Sequence, residues 1–425
     1  MEIRISTRTI FWLCAALVMG KALPMQAQEW KPASGRLMSR FAFEVSPRNA
    51  LPEYPRPQMV RAQWQNLNGL WDYALAAPEA NTAPTRFEGR ILVPFPYEAA
   101  LSGVGRPSIP DQKLWYRRRF TIPTAWKGQK VLLHFGAVNY EAQAWVNGKA
   151  VGSHRGGFNG FTFDITDALQ AGDNELTVAA ANPLSVDNEN SQAIGKQRLH
   201  PGGVLYTGAT GIWQTVWLEP VPTAHIEQLK ITPDIDRRQL RLQVLAGGAG
   251  SQIRAEAFEG NQRVASITGA AGATLILPIR HPRLWSPGSP FLYHLKVSLL
   301  SGGKAGDSVD SYFAMRKISL GQDAQGRTRI LLNNKFLFQI GALDQGYWPD
   351  GIFTAPTDEA LRYDIEIAKK LGFNLLRKHA KVEPERWYYH CDRLGMLVWQ
   401  DMPQAFGGAI DGQSYRLSQR PRRSG

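Results

Sequence analysis

Cysteine is almost absent from this chain of 425 residues, which holds only Cys14 and Cys391. Cys14 lies in an apolar N-terminal stretch, so a processed chain keeps one thiol and no internal disulfide can form. Stability must then come from burial of apolar surface. Cys391 falls on the apolar side of a predicted helix and reads as core filling. The eight histidines show no His-x3-His or cysteine-linked spacing, so no metal site is expected. Long hydrophobic runs are also lacking. The one candidate, IFWLCAALVMG at 10–20, is too short to span a bilayer. It follows Arg4 and Arg8 and precedes KALPMQAQ, the pattern of a signal peptide (1–27) ending at Ala27. Leu13 before Cys14 argues against a lipoprotein site. The mature protein is therefore expected in the periplasm or outside the cell, with no membrane insertion. Acidic residues are the scarcer charge, 36 against 49 basic ones, for a net +13. Loss of 1–27 removes three cations and one anion and leaves +11. Arg416, Arg420, Arg422 and Arg423 sit in the tail and the remaining excess is scattered. No basic groove with interleaved aromatics exists, which argues against a nucleic-acid partner.

What is present is β-grammar. Residues 28–60, rich in proline and arginine (SPRNALPEYPRPQ), read as an extended lead-in. From 62 to 220 short apolar runs alternate with turn signals: KVLLHFG, AQAWVNGKAVGSH, FTFDIT, NELTVAAAN, QTVWLEPV. Asn147-Gly148 between AWV and KAV is a two-residue hairpin signal, because both positions need positive φ. The stretch 28–221 is assigned to a jelly-roll sandwich. Thirteen tryptophans either stack on sugar faces or fill sandwich cores. Pro220 and Pro222 mark a linker. A further segment, 222–318, contains about seven strands in under a hundred residues and suits an immunoglobulin-like sandwich.

The pattern changes over 319–406. RILLNNKFLFQIGALDQ reads as a hairpin leading into a buried strand. PTDEALRYDIEIAKKLGF reads as a helix capped by Thr357, with Asp358 and Glu359 in its first turn, Gly372 at its end, and Leu361, Ile365, Ala368 and Leu371 as its apolar stripe. NLLRKHA is a strand. EPERWYYHCDRLGM is a helix with Pro384 at its first position, and LVWQDM is a third strand. Strand–helix–strand–helix–strand implies a parallel sheet. In a (β/α)8 barrel the site is built from the carboxyl ends of the strands, where Arg377, His379 and Asp401 fall. Residues 407–425 have no periodicity and read as a disordered basic tail.

Several stretches together resemble glycoside hydrolase family 2, which includes β-galactosidases, β-glucuronidases and β-mannosidases. They are NLNGLWDYAL (66–75), LWYRRRF (114–120), AWVNGKAVGSHRGGFNGFTFDIT (144–166), GIWQTVWLE (211–219), LWSPGSPFLY (284–293) and LGFNLLRKH…CDRLGMLVWQDMP (371–403). The resemblance implies jelly roll, immunoglobulin-like sandwich and then a TIM barrel, of which this chain shows the first three strands. It implies a retaining exo-glycosidase working on carbohydrate, with no cofactor and with two glutamates about 5 Å apart, at the ends of the fourth and seventh barrel strands. Those positions are not in this sequence, so the fragment is expected to be inactive alone, C-terminally truncated, with a complementing chain as one possible partner. Asn188-Glu189, the one Asn-Glu in a polar loop, falls in the jelly roll. Glu383 and Glu385 sit at the start of the second helix, where acids favour its dipole.

Arg377 matches a family arginine beneath the nucleophile. It either orients that glutamate and lowers its pKa or forms a strand-end ion pair with Asp401 or Asp344. His379 is shifted by one residue from a family histidine and is either a substrate contact or a satisfied rim histidine. Asp344 either faces the sugar or serves a turn, and Asp401 is a candidate site wall. Trp348 and Trp399 are stacking candidates, with core packing favoured for Trp399. The stretch GKQRLHPGGVLYTGATGIW lacks the aspartate many members carry there, and Gln214 stands where the signature closes on arginine. A non-catalytic carbohydrate-binding module using the jelly roll is the alternative function.

Overall fold

The computed structural model describes residues 30–185, 192–247, 251–301 and 303–404. Residues 1–27, read above as a signal peptide, Asn188-Glu189 and the tail from 407 lie outside the described residues.

Two antiparallel sheets face each other in the first sandwich. One has the order Gln65–Asn66, Val216–Val221, Lys130–Phe135, Phe161–Asp164. The other runs Gly89–Val93, Gly69–Ala76, Lys113–Thr121, Asp173–Ala181, Glu141–Val146, Lys149–Arg155. Alternate residues from both fill one core, including Trp71, Tyr116, Leu133, Phe135 and Val178. Trp71 meets Tyr116 edge-on at 6.1 Å. Trp115 and Trp213 are also buried, so these indoles contribute to cores. The Asn147-Gly148 turn has φ of +51° and +77°, as its hairpin requires.

The second sandwich pairs Ile226–Asp234, Gln239–Ala246 and Thr274–Pro278 against Gln262–Ala270, Gln252–Glu259, Tyr293–Ser301 and Lys304–Phe313. Leu240, Leu242 and Val244 point inward while Arg241, Gln243 and Leu245 face out, the period of two that a half-buried strand needs. The edge strand Gln262–Ala270 is not among the strands read from the sequence, although Ala265, Ile267 and Gly269 alternate with exposed Ser266, Thr268 and Ala270. Its pairing with Gln252–Glu259 places it.

After a short antiparallel meander (318–336) the chain enters a parallel sheet of β1 (Gly341–Asp344), β2 (Leu375–Lys378) and β3 (Leu397–Gln400), connected by α1 (Asp358–Lys370) and α2 (Glu385–Leu394). The Thr357 side chain accepts from the Ala360 N–H, satisfying an end donor. Two helix details differ from expectation. Leu371 is 69% exposed because the helix ends there, and Gly372 turns the chain with φ +89°. Pro384 is the N-cap of α2 rather than its first residue. The strands also are not buried on both faces. Leu343 is 52% and Trp399 47% exposed, because only one face of the sheet is covered by helices. Trp399 therefore is not a core residue.

The lead-in binds these layers together. Phe41 packs edge-on against Trp348 and Tyr363 in the helix core. Ser39 bonds Asp350 through its N–H at 2.8 Å and its hydroxyl at 2.6 Å. Arg61, buried, pairs with Asp307 of the second sandwich and with Glu219 of the first.

The C-terminus of α2 docks on the second sandwich's Trp285–Pro287 segment: the Trp285 indole donates to Asp392 O at 2.7 Å. Gly395 ends the helix with φ +77°, and a Cβ there would lie 2.5 Å from Pro287 O. Gly395→Ala is expected to cost at least about 1 kcal/mol from the left-handed backbone, plus the displacement of Pro287. Thermal unfolding should show a lowered Tm, and an unchanged Tm would disprove this docking.

Candidate functional site at the carboxyl end of the parallel sheet

Side chains alternate across a strand, and the register sorts this site into two faces. Leu343, Arg377 and Trp399 are aligned in one row, and Asp344, Lys378 and Gln400 in the next. The row containing Arg377 points away from the helices and is open. The row containing Lys378 points toward α1 and α2 and is covered.

On the open face Asp401 gathers the predicted residues. Its Oδ2 accepts from Arg377 Nε at 2.9 Å and Nη2 at 2.8 Å, and from His379 Nδ1 at 2.6 Å. The Arg377 and His379 hydrogen bonds hold the Asp401 carboxyl below the usual range. Arg377 thus makes the ion pair with Asp401 foreseen as one alternative. The Nδ1 bond to Asp401 leaves the His379 Nε2 without a hydrogen-bond partner among the described residues. The Trp399 indole donates to Gln339 Oε1 at 2.9 Å.

Two predicted residues are elsewhere. Asp344 lies on the covered face, where its Oδ1 accepts from Lys378 Nζ at 2.8 Å and from the Gly346 N–H at 2.9 Å. It serves a turn and an ion pair, because one step along a strand changes the face. Trp348 is half-buried against Phe41 and the helix core, so it is not beside Arg377.

Sequence reading missed a buried charge cluster under these residues. Lys378 Nζ also meets Glu383 Oε1 at 2.9 Å and sits 4.3 Å from the Trp387 ring centroid. Lys381 Nζ meets Glu383 Oε2 at 2.9 Å and donates to Gly346 O and Phe353 O at 2.6 and 2.8 Å. Burial would lower the Lys378 pKa, but Glu383 and Asp344 outweigh it and raise it. Burial pushes Lys381 down to about 8, against the opposing pull of Glu383. Glu383 precedes α2 and is 5% exposed, so its role is to neutralise two lysines rather than the helix dipole. The spacing Lys378-x2-Lys381-x-Glu383 beside an apolar strand was the available signal.

One segment of the first sandwich reaches this end of the sheet. The N–H groups of Ile194 and Gly195 both donate to Gln404 O, at 3.1 and 3.3 Å. Tyr206 stacks on Tyr347 at 4.2 Å. A separate cavity of about 460 Å3 lies between the sandwich and the N-termini of the helices, bordered by Trp213, Trp217, Glu383 and Glu385. It belongs to the covered side. Among the described residues no cluster of His, Cys, Asp and Glu is placed to hold a metal ion, and no helix is long and apolar enough to cross a membrane.

Comparison with known proteins adds three findings. Residues 105–211 match the family described as "Glycosyl hydrolase 2 galactose-binding domain-like", and 224–316 match "Glycosyl hydrolases family 2". A putative β-glucuronidase of Formosa agariphila is 29% identical over 371 residues, covering 82% of this chain and 41% of that protein. A β-galactosidase of Thermoanaerobacter pseudethanolicus is 26% identical over 306 residues, covering 68% of this chain and 39% of its own length. The chain thus spans about two fifths of these relatives. A crystal structure of Ruminococcus gnavus β-glucuronidase superposes with a TM-score of 0.69 at 20% identity, over 85% of this chain and 63% of that one, a likeness of fold.

The covered face yields a pH test. Asp364 of α1 has its carboxyl raised to about 6, by desolvation first and then by the charges of Asp344 and Glu383, with Lys378 opposing. The folded state therefore holds a proton that the unfolded chain releases near pH 4, and stability falls as pH rises from 4 through 6. Asp364→Asn should melt with wild type at pH 4 and above it at pH 7. Coincident melting curves across pH 4–8 would contradict the shift.

Proposed function

This chain belongs to glycosyl hydrolase family 2, and from that premise we propose that it is the sugar-binding, N-terminal portion of a retaining exo-glycosidase acting on glycans outside the cytoplasm. In this reading β1–β3 are the first three strands of a (β/α)8 barrel. The observation that carries it is the group Arg377, His379 and Asp401, set on the open face at the carboxyl ends of parallel strands. Barrel enzymes place their sites at that end. The β-glucuronidase and β-galactosidase relatives support a sugar as the ligand, and the N-terminal sequence supports export.

The groups in hand fit binding and positioning. Retaining hydrolysis needs one carboxylic acid to protonate the leaving oxygen and a carboxylate about 5 Å away to attack the anomeric carbon. At this end of the sheet Asp401 is paired with Arg377, Asp344 with Lys378, and Glu383 with two lysines. Each of these carboxylates is already engaged in an ion pair, so none is free to face a leaving oxygen. Arg377 offers a fixed guanidinium, and His379 an unbonded Nε2, to hydroxyls or to an incoming carboxylate. The catalytic pair then comes from barrel sequence beyond these strands, either further along the same polypeptide or in a complementing chain.

The test is activity and binding of the purified chain. It should not turn over 4-nitrophenyl β-D-glucuronide or β-D-galactoside, and it should show saturation-transfer NMR contacts to the corresponding sugars. Asp401→Asn should weaken that binding about tenfold without lowering Tm, since its partners are half exposed. Turnover by this chain would overturn the division of labour.

A further inference from the structure

Among the described residues four lysine or arginine side chains are buried: Arg61, Arg198, Lys378 and Lys381. Three are neutralised by carboxylates, as described above. Arg198, 8% exposed, has no ion pair among the described residues. Its Nη1 donates to the carbonyls of Gly195 and Gln197, at 3.3 and 2.7 Å, which are neutral acceptors. A buried cation left without a counter-charge is costly, and here burial lowers its pKa. The segment 192–207 carries Lys196 and Arg198 and no acidic residue.

Its position gives that charge a purpose. Arg198 hangs from Gly195, which has φ +59° and lies flush on Ala380, where a Cβ would come within 2.2 Å of the Ala380 carbonyl. Ala380 follows His379, and Gln404, which anchors the same segment, lies three residues past Asp401. Tyr206, paired with Arg198's strand, stacks on Tyr347, whose hydroxyl is buried without a hydrogen-bond partner. The segment is held rigidly: Gln197 accepts from Asn139 Nδ2 and the Ala209 N–H at 2.8 and 2.9 Å and donates to Ile194 O at 3.1 Å. An uncompensated guanidinium and an unbonded phenol thus belong to a hydrogen-bonded segment and its stacking partner, and that segment packs on Ala380 and Gln404, the chain neighbours of His379 and Asp401.

We infer that Arg198 is the specificity-determining residue for an anionic substituent on the bound sugar, a carboxylate or a sulfate ester, which supplies its missing counter-charge when the ligand is seated beside His379 and Asp401. The inference rests on the sugar-site reading above. A guanidinium bonds a planar carboxylate or a sulfate through two N–H groups, and Tyr347 offers a further hydroxyl donor.

The experiment is isothermal titration of the chain with sodium D-glucuronate, D-glucose 6-sulfate and D-glucose, for wild type, Arg198→Met and Arg198→Lys. One or both anionic sugars should bind about tenfold tighter than glucose. Preference for glucuronate alone identifies the carboxylate, and for the sulfated sugar alone the sulfate ester. Arg198→Met should abolish the preference while leaving glucose affinity unchanged, and Arg198→Lys should retain part of it. Because the methionine variant removes an uncompensated buried charge, its Tm should hold or rise. Equal binding of all three sugars by wild type, a preference that survives Arg198→Met, or a fall in Tm for that variant would overturn the inference while leaving the sugar site standing. Failure of all three sugars to bind would overturn both.

Discussion

Glu383 is the anion on which this arrangement turns. It stands between Lys378 and Lys381, both buried, and the two lysines reach in different directions. Lys378 secures β2 and the end of β1 through Asp344. Lys381 secures the loop after β1 through Gly346 and Phe353, and its ammonium lies 5.4 Å from the Trp213 ring of the first sandwich. Desolvating two ammonium groups costs several kcal/mol each unless paired charge and hydrogen bonds compensate. The compensation here comes from two carboxylates, Glu383 shared by both lysines and Asp344 on Lys378, and from the carbonyls of Gly346 and Phe353, so the strands, the loop and the sandwich must be in place together. The functional groups on the opposite face of β2 inherit that rigidity, because Arg377 and Lys378 are neighbours on one strand.

The open face and the covered face divide the labour. Charges on the covered face are closed among themselves: Lys378, Lys381, Glu383 and Asp344. On the open face Asp401 draws Arg377 and His379 together yet leaves each with donor or acceptor capacity for a ligand. The sandwich contributes a rigid segment, 192–207, laid against Ala380 and Gln404. Charge that is balanced internally builds the frame, and charge that is not balanced, at Arg198, marks where a ligand would complete it.

Much of this was readable in the residues. Alternation located most strands, Asn147-Gly148 the hairpin, Thr357 the helix cap, and Cys391 a core position. Arg377 and Asp401 were paired as one of two options. Other features depended on information that sequence carries weakly. Asp344 was open between facing a sugar and serving a turn, since residue type suits both; a shift of one residue sends a side chain to the other face, and the register sets it opposite Lys378 on the covered side. Glu383 was read as a helix-dipole residue because it adjoins α2, whereas long-range burial gives it two lysines. The edge strand Gln262–Ala270 alternates only over its second half and with small residues, Ala265 and Gly269 around Ile267, so its pairing is what reveals it. Arg198 lay in a stretch noted only for lacking an acid, and its isolation is visible only when every neighbour is in place.

The most direct test of this account is hydrogen exchange on Glu383→Gln beside wild type, since the substitution keeps the side chain's size and removes the charge between the lysines. The account predicts that amides of Leu375–Lys378 and of the 345–355 loop lose protection together, by about 3 kcal/mol or more, while Gln239–Ala246 in the second sandwich keeps its own. Unchanged protection at β2 and the loop would contradict it, and so would loss confined to the N-terminal turn of α2.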